Sequence, residues 1–351
     1  MKRARTKEMP LHDQIKRRVS ERIEPKEYEG DFGVVVSTGS TLLDLAISGG
    51  HVRGGGIPLG ILVEIFGPSG CGKSVLLSEI AGNIQRTGGS IMFHDPEARL
   101  NAQFAKMFGL EITDKNYDAP DLVTQVFKGV RDWQPESKQG VINGVFADSL
   151  AALSTDLEME NKEGDKMGMR RAKEFSEELR KTCRIIKQKN YLMVCSNQVR
   201  VNMDAGPYGQ KYVSPGGEAV GFYSSLRLRA TRPEKIQSKV KVVGKEIKRP
   251  IGVRVEYEVF KSSVWKPYRT APVTILFDYG IDDIRENLQF IKNYTKNTVY
   301  MVRDQKLDVS LEKSIAMVED DGLESVLKDE VIDLWEEIES KFDSDRKPKI
   351  R

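Results

Sequence analysis

No apolar run in this sequence approaches the roughly 18 residues that a membrane-spanning helix requires, because charged residues, 30% of the chain, interrupt the apolar 39% at short intervals. A protein that stays in water is expected. The basic start, Met1-Lys-Arg-Ala-Arg5, is not followed by the apolar stretch and small-residue cleavage site of a secretory leader, so the chain reads as unexported. Cysteine is scarce. The three present, Cys71, Cys183 and Cys195, are odd in number, far apart and set in apolar or glycine-rich surroundings. That pattern argues against a disulfide framework or a zinc site and fits a reducing cytoplasm. Net charge is nearly absent too, with 55 basic against 52 acidic residues and a balance of +3. No internal repeat or low-complexity tract is found.

The charges that cancel in sum are segregated along the chain. Residues 1–22 hold eight Lys and Arg against three acids, and residues 227–269 hold thirteen against four, whereas the segment from Glu319 to Glu339 is mainly acidic. Such segregation is the footprint of a face that meets a phosphate backbone, although a merely solvated face can carry the same charges. At 351 residues the chain is long enough for one large domain and a small one.

The first 36 residues read as a basic helical arm, with a linker at Pro25 to Gly33 and no core of their own. From Ile61 a short apolar strand, Ile61-Leu-Val-Glu-Ile-Phe66, leads through a Gly-rich turn into an apolar helical stretch over 74–85, the opening of an α/β nucleotide-binding domain. Further strands are predicted over 90–94, 144–147 and 191–196, separated by helical runs such as 170–188. This alternation predicts a largely parallel central sheet flanked by helices. Two polar stretches, 156–168 and 202–217, follow neither period, and irregular segments of that length inside a domain commonly carry function. Beyond Gly280 the pattern is that of a small unit ending in an amphipathic helix with apolar positions Leu323, Val326, Leu327, Leu334, Ile338 and Phe342. The expected division is therefore an arm over 1–36, a core over 37–282 and a small α+β C-terminal domain over 283–351.

Gly67-Pro68-Ser69-Gly70-Cys71-Gly72-Lys73-Ser74 matches the eight-residue phosphate loop and stands where that loop must, after a strand and before a helix. Glycines allow backbone N–H groups to turn in around phosphate oxygens, and the helix N-terminus adds its positive dipole. Lys73 brings charge to the terminal phosphates, and the Ser74 hydroxyl is suited to Mg²⁺. An acid at the end of a later strand should serve the same metal, and Asp148, closing Val145-Phe-Ala-Asp148, is the candidate. A base to orient the attacking water could be Glu97, just past a strand in Phe93-His-Asp-Pro-Glu97. Asp95 competes with it by position, its alternative role being to cap the next helix.

Several separated segments, in the same order over nearly all of 37–342, resemble the bacterial and phage RecA recombinases. They are Ser37-Thr-Gly-Ser-Thr-Leu-Leu-Asp44, the phosphate loop, Asp95-Pro-Glu-Ala-Arg-Leu100, Asp148-Ser-Leu-Ala-Ala-Leu153, Gly164-Asp-Lys-Met-Gly168, Ser196-Asn-Gln-Val-Arg200 and Gly216-Gly-Glu-Ala-Val-Gly-Phe222. The phosphate loop is common to many ATPases, while Asn-Gln-Val-Arg at a strand end followed by Gly-Gly is far more specific. The resemblance implies a RecA-type ATPase core with ATP and Mg²⁺ as cofactors. Glu97 would activate water, Lys73 and Ser74 would hold phosphate and metal, and Asp148 would serve the metal. Phe104 would lie against the adenine where relatives usually have Tyr. Gln198 would sense the terminal phosphate and pass its state to the stretch that begins at Arg200; a buried structural Asn-Gln pair is the competing reading. The stretches 156–168 and 202–217 look like the family's two DNA loops, with Arg170, Arg171, Arg200 and Lys211 supplying charge, Met167 and Met203 supplying wedges, and Gly168, Gly216 and Gly217 lying within them. Binding is then expected to tolerate any sequence and to weaken with salt.

The chain also departs from its relatives. His51-Val-Arg-Gly-Gly55 lengthens the segment before Ile57-Pro58. Of the two lysines that relatives extend to the ATP of a neighbouring subunit, Lys261 is present and Ser263 stands in the second place, with Lys266 expected to compensate. Gly221 replaces the usual lysine before Phe222 at the expected subunit interface, and Arg346-Lys-Pro-Lys-Ile-Arg351 stands where relatives are acidic. The partners implied are single-stranded and duplex DNA, further copies of the chain in a helical filament, and single-strand-binding and loader proteins, with no membrane. The other readings open to the residues are a motor on the same core, such as a hexameric helicase or another DNA-repair ATPase, and a regulatory ATP-binding protein, which the basic segments oppose.

Overall fold

A computed structural model of the chain describes residues 33–136, 140–159, 167–201, 212–213, 218–295 and 297–342. A ten-stranded sheet forms its centre. In chain order the strands are β1 (Leu62–Gly67), β2 (Ile91–His94), β3 (Tyr117–Asp118), β4 (Asn143–Ala147), β5 (Tyr191–Gln198), β6 (Leu226–Ala230), β7 (Glu234–Val242), β8 (Lys245–Ser262), β9 (Thr270–Leu276) and β10 (Gly280–Ile281). Across the sheet the order is β10-β9-β8-β6-β1-β5-β4-β2-β3, with β7 paired to β8. From β3 through β6 in that order the pairs are parallel, and the pairs made by β8, β9 and β10 are antiparallel. The expected largely parallel sheet flanked by helices is observed.

Alternation along each strand sorts the apolar side chains into two layers. Val63, Ile65, Phe146, Leu192 and Val194 belong to one core, and Leu62, Val145, Ala147, Met193 and Cys195 to the other. The first core takes in α1 (Thr41–Ser48) and α2 (Lys73–Arg86), while the second takes in α3 (Val123–Asp132) and α4 (Met167–Lys189). In α4 the buried positions Phe175, Leu179, Thr182 and Ile186 recur every three or four residues and leave Lys173, Arg180, Lys181 and Arg184 in water. Each fully buried Phe, Leu or Ile in such a stripe contributes about 1.5–3 kcal/mol.

The last strands lead into α5 (Asp283–Thr295), α6 (Leu311–Asp320) and α7 (Glu324–Ser340). Asp283 at the head of α5 accepts from the Thr41 backbone N–H and hydroxyl, both at 2.7 Å, so one half-buried carboxylate ties α1 to α5. Arg269 makes two hydrogen bonds to Glu339, and the Trp265 and Trp335 rings meet at 5.5 Å. The extra segment His51–Gly55 acquires a structural role here, since Arg53 pairs with Asp329 and Asp333 on α7.

Three expectations are corrected, and one segment left unassigned gains a structure. The stretch 156–168 is not irregular throughout: Asp156–Met159 forms one helical turn, and α4 starts at Met167. The end of the supposed arm is sheet, with Val35–Val36 paired to Ile57–Pro58; residues 1–32 lie outside the described residues. Phe342 falls beyond the end of α7 and is 72% exposed, and the helix buries Val331 and Ile332 instead. The basic segment 227–269 is largely a long ribbon in which β7 and the first part of β8 pair through a Val243-Gly244 turn with positive φ at both residues, the requirement of a tight hairpin.

Candidate nucleotide-binding site

Four parallel strands, β1, β5, β4 and β2, deliver the candidate residues at their carboxyl ends, where α/β sheets bind ligands. β1 ends at Gly67, which lies in register opposite Gln198 at the end of β5. Asp148 follows β4, and Asp95 follows β2. Around this point a cavity of about 280 Å³ is lined by the loop from Ser69 to Ser74 together with Glu97, Phe104, Asp148 and Gln198. The sequence-predicted nucleotide residues are thus brought together.

The loop is locked from beneath. Gly72 adopts φ +76°, and the buried Tyr257 of β8 donates its hydroxyl to the Cys71 carbonyl at 3.0 Å. Lys73 heads α2 and donates to the carbonyls of Gly67 at 3.2 Å and Pro68 at 2.8 Å, which holds its ammonium inside the loop. Burial pushes the Cys71 thiol up, so it remains a protonated packing group.

Asp148 accepts a hydrogen bond from Ser196. Burial pushes its carboxyl up against the opposing pull of the hydrogen bonds from Ser196 and Ser74. The two candidate metal ligands, Ser74 and Asp148, line the same cavity.

Geometry separates the two competing acids. The carboxylate of Asp95 is 2% exposed and accepts from the Leu100 N–H at 2.7 Å and the Tyr117 hydroxyl at 3.0 Å. It knits the loop rather than capping the next helix, Ala102–Met107, whose cap is Asn101. Glu97 presents one oxygen to the Ser149 hydroxyl at 2.9 Å and the other to Arg99 at 2.6 Å, at the cavity wall. Phe104, on that short helix, is 36% exposed and meets Phe108 edge to face.

Asn197 and Gln198 divide their labour. Asn197 is buried and donates to Glu64 at 3.0 Å, and the same carboxylate receives Arg227 at 2.6 Å. Arg227 also lies 4.4 Å from the Phe66 ring centroid. The one mark of this trio in the sequence is Glu64, a charge inside an otherwise apolar strand. Gln198 reaches the cavity, and the N–H of the next residue, Val199, bonds back to the Gly67 carbonyl at 3.4 Å.

Lys261 donates to the carbonyls of Gly221 and Phe222, both at 2.9 Å, and burial with the nearby Arg227 lowers its pKa. Phe222 is 75% exposed beside it. Lys266 is not brought to that place: it lies 4.0 Å from Glu339 and over the Trp265 ring. Arg171 donates to the Ala151 carbonyl at 2.8 Å, a fastening of α4 to the turn after Asp148 rather than an open cation. Met167, Gly168 and Arg170 fall in α4 and Arg200 in a two-residue ladder with Val213, but their side chains lie outside the described residues. Met203, Lys211, Gly216 and Gly217 lie wholly outside them.

A strand, a glycine loop and a helix holding an invaginated lysine, with two acids at neighbouring strand ends, define a phosphate-loop ATP-binding protein. The model of the RecA N-terminal domain matches residues 26–282. Protein RecA of Campylobacter jejuni subsp. doylei is 33% identical over 246 residues, which cover 70% of this chain and 67% of that protein. Protein RecA of Thermus thermophilus is 34% identical over 255 residues, covering 72% and 69%. The chain belongs to the RecA family of ATP-binding and DNA-binding proteins of recombination and repair. Among the described residues, no helix is long and apolar enough to cross a membrane.

Proposed function

We propose that this chain is a DNA-dependent ATP hydrolase and homologous recombinase that forms helical filaments on single-stranded DNA and exchanges strands with a homologous duplex, in the cytoplasm. The observation that carries the reading is the position of Gln198, which lines the nucleotide cavity in register with Gly67 while the chain just beyond it enters the second polar stretch. A hydrogen bond from Gln198 to the terminal phosphate would be available with ATP and lost with ADP. It would bias the segment that follows and make ATP and DNA reinforce each other's binding.

Magnesium fits the site, because the Ser74 hydroxyl and the Asp148 carboxylate are adjacent hard oxygen donors, and Mg²⁺ commonly takes one or two protein ligands with phosphate and water completing its shell. Bound there, the ion supplies positive charge to the triphosphate. Lys73 and the loop N–H groups hold the same phosphates. Glu97 takes a proton from water as the water oxygen attacks the terminal phosphorus; the bond from that phosphorus to the bridging oxygen breaks, and ADP and phosphate leave.

DNA contact falls to the two polar stretches, through Met167, Gly168, Arg170, Arg200, Met203, Lys211, Gly216 and Gly217, with Arg171 bracing the first. Lys261 and Phe222 form the subunit interface, where Lys261 exchanges the Gly221 and Phe222 carbonyls for the neighbouring subunit's nucleotide. Residues 283–351 form the small C-terminal domain, docked on the core through α1.

Electron microscopy with an ATP analogue and single-stranded DNA tests the proposal: helical filaments are expected, and rings would assign a hexameric motor. Absence of any assembly, with ATP hydrolysis indifferent to added oligonucleotide, would overturn the reading. Lys261→Ala is expected to lower DNA-stimulated hydrolysis, and Lys266→Ala to leave it near wild type.

A further inference from the structure

The nucleotide cavity holds three carboxylates, on Asp95, Glu97 and Asp148, and among its described lining residues the cations are Lys73 and Arg99. Arg99 stands apart from the other charges. Its side chain is 79% exposed, and the contact that holds it is the 2.6 Å ion pair with Glu97, itself 16% exposed. The backbone beneath is fixed on both sides. Ala98 N–H bonds to the Asp95 carbonyl at 2.9 Å in a turn that places Ala98 at φ +48°, and Leu100 N–H bonds to the Asp95 carboxylate at 2.7 Å. Arg99 is thus a long, solvent-facing cation on a rigid post at the rim of the cavity.

While it lasts, the pairing opposes the work of Glu97 as a base. One Glu97 oxygen accepts from the Ser149 hydroxyl and the other is paired with the Arg99 guanidinium at 2.6 Å, so a proton from an attacking water has to compete with a bound cation for that carboxylate. An ion pair with so exposed an arginine is weak, because water and salt screen it. A terminal phosphate carries more charge than a carboxylate and offers the planar guanidinium fork a bidentate partner. The phosphate therefore wins the arginine.

We infer, resting on the ATPase reading above, that Arg99 is a further catalytic residue, a cation supplied by the same subunit that binds the nucleotide. Its guanidinium exchanges Glu97 for the terminal phosphate, and that exchange uncovers Glu97 for water. One movement thus neutralises the charge that builds on the transferred group and exposes the base, so water activation is tied to the presence of the third phosphate. It also supplies a positive charge at a site where Ser263 occupies one of the two positions from which lysines would reach across the subunit boundary.

The experiment compares full-length wild type, Arg99→Ala and Arg99→Lys in ATP hydrolysis with saturating oligothymidylate, alongside binding of Mg-ADP and of Mg-ADP with aluminium fluoride, a mimic of the transferred phosphoryl group. Arg99→Ala is expected to lower kcat by about tenfold or more while KM changes by less than about threefold. Affinity for the fluoride complex should fall in step, with that for ADP unchanged. Arg99→Lys, which keeps the charge and loses the fork, should recover part of the loss. A kcat for Arg99→Ala within about threefold of wild type, or above it, overturns the inference, the second outcome making Arg99 a restraint on Glu97. So does an equal loss of affinity for ADP. A wild-type protein without ATPase activity would instead sink the underlying reading.

Discussion

At Gly72 two constraints meet: the backbone turns at φ +76°, and a Cβ there would lie 2.2 Å from Ile275 Cδ1 on β9. No side chain fits without displacing the Ile275 methyl from the core, and the positive φ strains any residue but glycine. Gly72→Ala is therefore expected to lose about 1–3 kcal/mol of stability, read as a lower urea midpoint, and to lose ATP binding with it, since the loop N–H groups shift together. An unchanged midpoint would show that β9 gives way freely. Glu97 and Asp95 illustrate the opposite case, two similar acids with different duties. Glu97→Gln is expected to keep ATP affinity and lose turnover by about 10²-fold or more, measured by phosphate release against nucleotide binding. The sequence left that choice open because both acids follow the same strand; the hydrogen bonds of Leu100 and Tyr117 to Asp95 decide it.

Among the elements, α4 was legible because its apolar stripe repeats at the helical period, and the same stripe sets its energetics. Phe175 is fully buried and meets Phe127 edge to face at 6.1 Å between centroids. Phe175→Ala should cost about 3–5 kcal/mol by urea unfolding, whereas Arg53→Ala, at a pairing with both partners about half exposed, should barely move Tm. Comparable losses from the two would mean that the grip of the His51–Gly55 segment on α7 is a principal fastening. The β7–β8 ribbon was less legible. Lysines fall on its strands as often as apolar residues do, so its alternation is weak, and the segment reads as charge. Its pairing becomes evident once β8 continues into the sheet core at Val255, Tyr257 and Val259.

At the scale of the whole molecule, buried acids give stability a pH dependence of definite sign. Burial raises the pKa values of Asp44 and Glu79 to about 6, and burial with the neighbouring Asp156 and Glu158 raises that of Glu174 to about 7. The folded state holds these protons where the unfolded chain, with its ordinary carboxylates, has released them. Stability contributed by protonation is present below about pH 4 and is lost as pH rises toward 6–7. The urea midpoint should decline from pH 5 to 7, and less steeply in Asp44→Asn; a midpoint that climbs across that interval would contradict the assignment. The phosphate loop, the alternation of strands and helices and the stripe of α4 were determined by sequence alone, since each depends on residues close along the chain and on the periods of strand and helix. What tertiary structure decided was which partner each polar group takes: Asp95 holds the Leu100 N–H and the Tyr117 hydroxyl, Asn197 holds Glu64, Lys266 stands by Glu339 of α7, and Glu97 stands at the cavity with Ser149 and Arg99. Those outcomes depend on partners that parallel strands bring together from distant parts of the chain, and no local pattern encodes which of two neighbouring acids or amides a remote hydroxyl or guanidinium will claim.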